Sequence, residues 1–198
     1  MTLILASQSS SRRAMLDAAG VDYMALPAHI DEESTKAALQ AAGSPARDIA
    51  DALAELKALK ISQANPNALV LGSDSLMVLA NGRILDKPVS RDQAAEHLIA
   101  MSAGTHQLIS AAVIAEQGRA VWRIVEAARL TVRSLSPATI DTYLDHEWPA
   151  IAGCVGCFRI EGLGVQLFDR IEGNHFTILG MPLVPVLGYL RLRGALPL

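Results

Sequence analysis

Cysteine is nearly absent from this chain of 198 residues: there are two, too few for a disulfide framework to be what stabilises the fold. An excess of basic charge is lacking too. Seventeen Lys and Arg stand against 20 Asp and Glu, a formal charge of −3, so the cationic stripe that a nucleic-acid backbone requires is missing. Duplex DNA or RNA is therefore not an expected partner, although a few local Arg and Lys suffice for a small phosphorylated ligand. No unbroken run approaches the ~20 apolar residues of a spanning helix. The most apolar late stretch, 176–190, is interrupted by Gly180, Pro182, Pro185 and Gly188. The opening run, 1–6, is too short for a signal h-region and meets a serine cluster at once. Internal repeats and low-complexity linkers are also wanting. The expectation is a soluble, cytoplasmic protein with no membrane partner.

What is present is apolar material: 51% of residues are hydrophobic and 19% charged, which excludes intrinsic disorder. A chain this long buries roughly 70% of the surface that its unfolded form exposes, enough for a substantial core. The expectation is one domain, 1–198, or two closely joined lobes. Strand and helix patterns alternate. Residues 3–6 read as a short strand, 12–19 as a helix stopped by Gly20, and 23–26 as a second strand closed by Pro27. Helical spacing of Ile49, Leu53, Leu56 and Ile61 predicts a long helix over 45–64, with Pro45 in its first turn. The run 68–72 reads as a buried strand that meets Ser73-Asp74-Ser75 and continues to the Asn81-Gly82 turn. A helix follows from Ser90 to Met101, with Ser90 and Gln93 spaced as a capping box. Residues 106–115 and 119–133 form an antiparallel pair about 116–118. Ser136-Pro137 opens a short helix to His146, 164–171 is strand-like, and 183–192 is an apolar helix. This alternation predicts an α/β fold.

Five segments could carry chemistry. Ser7-Gln8-Ser9-Ser10-Ser11-Arg12-Arg13 offers hydroxyls, free N–H groups and two guanidinium forks where a strand hands over to a helix, all suited to an oxyanion. Its plain alternative is a capping serine before two solvated arginines. Asp74 lies within an apolar stretch, where a carboxylate needs a cation or metal beside it unless the segment is a surface turn. In Ile84-Leu85-Asp86-Lys87-Pro88, Lys87 could meet a phosphate oxygen or simply pair on a loop. The acidic run of Asp31, Glu32 and Glu33 could lend Glu32, with Asp74, to a magnesium ion, which takes one or two protein carboxylates beside substrate phosphates; otherwise it is a solvated face. Cys154 and Cys157 have redox or zinc-like spacing, but no second cysteine pair completes a zinc set and no βαβ opening surrounds them. Together the first four supply anion donors, two carboxylates and a lysine, with no Walker motif, nucleophile elbow or zinc motif in competition. That set suits metal-assisted attack of water on a phosphoryl group.

In this set, and in family order along nearly the whole chain, the sequence resembles the Maf family of nucleoside triphosphate pyrophosphatases. The matching segments are LILASQSSSRRAML at 3–16, HIDEES at 29–34, LAELKA at 53–58, VLGSDS at 70–75, ILDKP at 84–88, SAGTH at 102–106, FRIEGLG at 158–164 and LGMPL at 179–183. The resemblance implies an α/β fold like that of inosine triphosphate pyrophosphatases, a mixed sheet with flanking helices forming two lobes around a cleft, and commonly a homodimer. It implies cleavage between the α and β phosphates with a divalent cation, Mg²⁺ or Mn²⁺. By the same resemblance Asp74 is the catalytic carboxylate and, with Glu32, a metal ligand. Ser7, Arg12, Arg13, Lys57 and Lys87 match phosphate-binding positions, and Ser11, Ser75 and Glu161 match positions that tune base choice.

Several positions depart from the commoner family pattern. Ser10 and Ser11 replace Pro-Arg, Gly-Ser-Asp-Ser replaces Gly-Ala-Asp-Thr at 72–75, and Glu161 replaces Gln. Uracil and thymine present acceptor, donor, acceptor on their pairing edge, which an amide can answer with both a donor and an acceptor, whereas a carboxylate only accepts. Guanine presents adjacent donors, and N7-methylation adds positive charge, so Glu161 suits guanine or 7-methylguanine. The 7-methyl-GTP branch also resembles this chain in Phe-x-x-Glu-Gly and in LFDRIEG at 167–173, but it tends to carry Trp where Ser11 stands. The expectation is a 7-methyl-GTP pyrophosphatase. The alternatives are a dTTP/UTP pyrophosphatase, a nucleotide-binding regulator of division with incidental turnover, and a thiol-redox protein using Cys154 and Cys157.

Overall fold

A computed structural model describes residues 2–196. Its strands are β1 (Thr2–Leu5), β2 (Met24–Ala25), β3 (Ala68–Leu79), β4 (Ile84–Leu85), β5 (Thr105–Glu116), β6 (Arg119–Val132) and β7 (Phe168–Glu172). Its helices are α1 (Ser10–Ala18), α2 (Glu32–Ala41), α3 (Ala46–Ala64), α4 (Arg91–Met101), α5 (Pro137–Glu147), α6 (His175–Ile178) and α7 (Leu183–Leu192). The strands form one mixed sheet in the order β2-β1-β3-β5-β6-β7, with β4 on β3. The expected α/β class is what the chain adopts. By their contacts the described residues fall into two compact units, the first of 2–75, 109–126 and 175–196, the second of 76–108 and 127–174. Among these residues no helix is long and apolar enough to cross a membrane.

In the first unit β1 is paired in parallel on both sides, to β2 and to β3, with Leu3 opposite Leu69 and Leu5 opposite Leu71. A strand enclosed in this way is buried on both faces, which is why 3–6 is apolar without alternation. Successive side chains nonetheless point to opposite faces. Leu3, Leu5, Leu69 and Leu71 join Met15 and Leu16 of α1 and Leu183, Val186 and Leu190 of α7. Ile4, Ala6 and Val70 join Ala28 and the partly buried Ile61 of α3. Helix α3 buries Ile49, Leu53, Ala54, Lys57 and Ala58 along one stripe. Pro45 is its N-cap and stands just outside the first turn in which it was expected.

The hairpin of β5 and β6 turns on Gln117 and Gly118 alone, with φ of 51° and 73°. Glu116 therefore ends β5 instead of entering the turn, as a two-residue connection requires. In the second unit the Ser90 hydroxyl accepts from the Gln93 N–H and caps α4, but Gln93 Oε1 accepts from the N–H of Val89, one residue earlier than a capping box predicts. Arg91 reaches Asp145 of α5 at 2.7 Å. The strand expected over 164–171 is present only from Phe168, since 163–167 form a tight 3-10 turn. Gly164 belongs to that turn because a Cβ there would lie 2.5 Å from the Arg159 carbonyl oxygen. Helices α2 and α6 and the two-residue β4 had no counterpart in the sequence reading.

Candidate active site

Asp74 lies inside β3 and is 6% exposed, so the surface-turn alternative does not hold. A buried carboxylate requires a cation, and Lys57 of α3 supplies it, its Nζ 2.6 Å from Asp74 Oδ1. The approach of helix to strand is set by Gly72, two residues earlier and so on the same strand face. A Cβ at Gly72 would stand 2.2 Å from the Ala54 carbonyl oxygen and 2.7 Å from the Ala58 nitrogen, and only glycine lets α3 sit that close. Lys57 also donates to Glu32 Oε2 at 2.8 Å. Glu32 opens α2, whose N-cap is Asp31, the carboxylate of which accepts from the Ser34 N–H. That bond holds the Asp31 carboxyl below its ordinary value. The acidic run is thus a helix N-terminus, where negative charge is favoured.

The other end of the site is built by the turn between β1 and α1. Ser7 Oγ accepts from the Ser9 N–H, and Ser9 caps α1 by accepting from the Arg12 N–H. The capping-serine alternative is therefore half right. Arg12 is buried while Arg13, about 100° further round the helix, is exposed. Arg12 donates from Nε to the Gly180 carbonyl at 2.8 Å, from Nη2 to Ser75 Oγ at 3.0 Å and from Nη1 to Ser7 Oγ at 3.3 Å. Burial pulls its pKa down while Asp74 and Glu32 pull it up, and a guanidinium so placed stays charged. Arg13 instead lines a shallow surface cleft with Ser10, Asp17, Asp22 and Tyr23.

Ser11 is half-buried on α1. In the second unit Lys87 and Glu161 are exposed. Beside Glu161, Arg159 donates from Nε to the buried Glu147 at 2.8 Å. Cys154 lies within electrostatic reach of both Glu161 and Lys87: burial and Glu161 raise its thiol pKa, and Arg159 and Lys87 lower it, with a net rise. Burial pushes the Cys157 thiol up to about 12. Two thiols so poised hold little thiolate at neutral pH, which removes the physical basis of the redox alternative.

The family profile described as "Maf-like protein" matches residues 2–193. The chain belongs to the Maf family. A relative in Sphingopyxis alaskensis, named nucleoside triphosphate pyrophosphatase, is 51% identical over 197 residues, which is 100% of each chain. Another, in Mesorhizobium japonicum, is named 7-methyl-GTP pyrophosphatase and is 45% identical over 194 residues, covering 98% of this chain and 97% of its own. Among solved structures, a nucleoside-triphosphatase / dITP/XTP pyrophosphatase from Mycobacterium abscessus aligns over 100% of this chain and 98% of its own at 15% identity and a TM-score of 0.45, too loose a fit to argue from.

Within this Maf chain the first unit holds two hydrogen-bonded groups, Ser7, Arg12 and Ser75 in one and Lys57, Asp74 and Glu32 in the other, with Arg12 within electrostatic reach of Asp74 and Glu32; Arg13 is in neither. Among the described residues no three His, Cys, Asp or Glu side chains cluster as a ready-made metal cage. The donor set nonetheless fits magnesium or manganese, because such an ion asks for one or two carboxylates and fills its remaining positions with water and phosphate oxygens. Lys57 engages Glu32 Oε2 and Asp74 Oδ1, which leaves Glu32 Oε1 and a further lone pair on the bonded Asp74 oxygen as acceptors for such an ion. Residue-level reasoning missed Gly180, Ser73 and Ser110. The hydroxyl of Ser73 donates to the Ala111 carbonyl at 2.8 Å, and that of Ser110 to the Thr177 carbonyl at 2.8 Å. The one available signal was hydroxyls at alternate positions of an apolar strand.

Proposed function

We propose that this Maf protein hydrolyses nucleoside triphosphates between the α and β phosphates, releasing a monophosphate and pyrophosphate. The observation that carries the reading is the buried Asp74 carboxylate locked to Lys57 at 2.6 Å beside Glu32, in a chain whose full-length relatives are named for this reaction. Lys57 occupies Asp74 Oδ1. Oδ2 is then the oxygen left to take a proton from the attacking water. Arg12, already charged and fixed at three nitrogens, offers its remaining N–H groups to phosphate oxygens. Glu32 and Asp74 would hold Mg²⁺ or Mn²⁺, which when bound neutralises charge on the phosphates. Lys87 and Arg13, both exposed, are further cations for a triphosphate.

For the base, we infer a preference for guanine nucleotides and for 7-methyl-GTP in particular. Its support is Glu161, an exposed acceptor-only side chain, together with the name of the 45% identical relative. The test is pyrophosphate release across ordinary and modified triphosphates with Mg²⁺ or Mn²⁺. Clear preference for dTTP and UTP overturns the base assignment, and Glu161→Gln should shift the ratio toward those pyrimidines. Asp74→Asn should lower kcat by roughly a hundredfold or more. Unchanged release in that variant removes Asp74 from the reaction.

A further inference from the structure

We infer that Glu147 is a positioning residue for base selection: by binding Arg159 it keeps that guanidinium from neutralising Glu161, and so leaves an uncompensated negative charge for the cationic ring of 7-methylguanine. The inference rests on the guanine reading above and adds which charges set it. All three residues belong to the second unit. Arg159 opens a β-turn, closed where the Gly162 N–H donates to the Arg159 carbonyl at 3.1 Å, and Glu161 is the third residue of that turn. A guanidinium and a carboxylate this near in sequence attract one another, and Arg159 lies within electrostatic reach of Glu161. The hydrogen bond nonetheless goes elsewhere: Arg159 Nε donates to Glu147 Oε2 at 2.8 Å.

Burial decides that competition. Glu147 ends α5 with its side chain 4% exposed, whereas Glu161 is exposed. A carboxylate taken out of water needs its cation more than a solvated one does. The turn is also built around the pair. A Cβ at Gly162 would stand 3.5 Å from Glu147 Oε1 and 3.6 Å from Arg159 Nη2, so the turn lies directly over both groups. One helical turn before Glu147, the Tyr143 hydroxyl donates to the Cys157 carbonyl at 3.1 Å, and α5 therefore grips the segment at two points. Glu147, Arg159, Glu161 and Lys87 all act on the Cys154 thiol, which gathers these charges round one spot. Arg159 offsets Glu147, and Lys87 is given to phosphate in the triphosphate reading. The charge left over is that of Glu161. N7-methylation turns guanine into a cation, and an uncompensated carboxylate separates that ring from neutral guanine by charge alone.

The test is calorimetric binding of 7-methyl-GMP and GMP, the monophosphate products, to the full chain, a measurement that needs no turnover. The parent should bind 7-methyl-GMP more tightly. In Glu147→Gln the neutral amide holds Arg159 more weakly and releases it to Glu161, and the preference should fall by roughly twofold to fivefold, the strength of an exposed ion pair. Removing the cation as well, in Glu147→Gln with Arg159→Met, should return the preference to the parent value or above it. A merely structural role for Glu147 would weaken both nucleotides alike and would not be repaired by the second change. If Glu147→Gln does not fold, Glu147→Asp, whose shorter stem draws the carboxylate back from Arg159, should lower the preference in the same direction. A parent that binds the two nucleotides alike overturns the 7-methyl reading and this inference together. A parent preference that survives unchanged in Glu147→Gln or Glu147→Asp, or that stays low once Arg159 is removed, overturns this inference alone.

Discussion

Replacing Lys57 by methionine removes the ammonium but keeps most of the aliphatic stem, so the change isolates charge. The side chains of Lys57 and Asp74 are 7% and 9% exposed. Breaking such a pair from one side strands a buried charge, a loss of about 3–5 kcal/mol. In a chain of this length each kcal/mol shifts the melting temperature by about 2–4 °C, so Lys57→Met should melt about 6–20 °C below the parent. Glu32 contributes little to that figure, because its side chain is 53% exposed; Glu32→Gln should lower stability by less than about 1 kcal/mol. The decisive measurement is a double-mutant cycle by thermal or denaturant unfolding. Adding Asp74→Asn to Lys57→Met removes the stranded charge, and the cycle should show a coupling of about 2 kcal/mol or more. If Lys57→Met melts with the parent, or if the two losses simply add, Asp74 does not depend on Lys57.

His106 is buried against Phe158 and Phe168, neither ring nitrogen has a hydrogen-bond partner among the described residues, and burial lowers its pKa from 6.5 to about 4. Between those values the unfolded chain binds a proton that the folded chain does not. Stability is therefore full above pH 6.5 and declines as pH falls toward 4, by at most about 3 kcal/mol. His106→Leu should flatten that acid limb in pH-dependent unfolding curves, and an unchanged slope would refute the assignment. Gly72→Ala must push α3 away from β3, with a loss of about 1–3 kcal/mol and of the Lys57 contact, seen as a lower melting temperature and lost pyrophosphate release; a variant that melts and turns over like the parent refutes the packing argument. Cys154→Ala, and blocking of both thiols, should leave pyrophosphate release largely intact, and its abolition would restore a chemical role for the thiols.

The features legible in the sequence are those that local chemistry dictates. Apolar runs at 3–6 and 68–72, the stripe of α3 and the Gly118 turn each announce themselves through pattern. The demand of Asp74 for a cation was legible too, but its supplier was not. Lys57 stands 17 positions earlier, on a helix whose rotation against the strand is set by close packing at Gly72, and only family resemblance pointed to it. Arg12 and Arg13 are equivalent as letters. Their fates differ because one helical step turns one inward. Helix α2 went unread because none of its residues is buried, so it has no apolar face to generate a period. Helix α6, four residues long, is too short to show one. Gly180 carried no sign that its carbonyl receives a guanidinium.

The buried carboxylate of Asp74 is mounted midway along a twelve-residue strand. Loops tolerate insertion and drift, whereas a residue within a strand has little slack, and displacing Asp74 would disturb the register of β3 as well as the contact with Lys57. Substitution meets fewer neighbours at the half-buried Ser11 and the exposed Glu161 than at the buried Asp74.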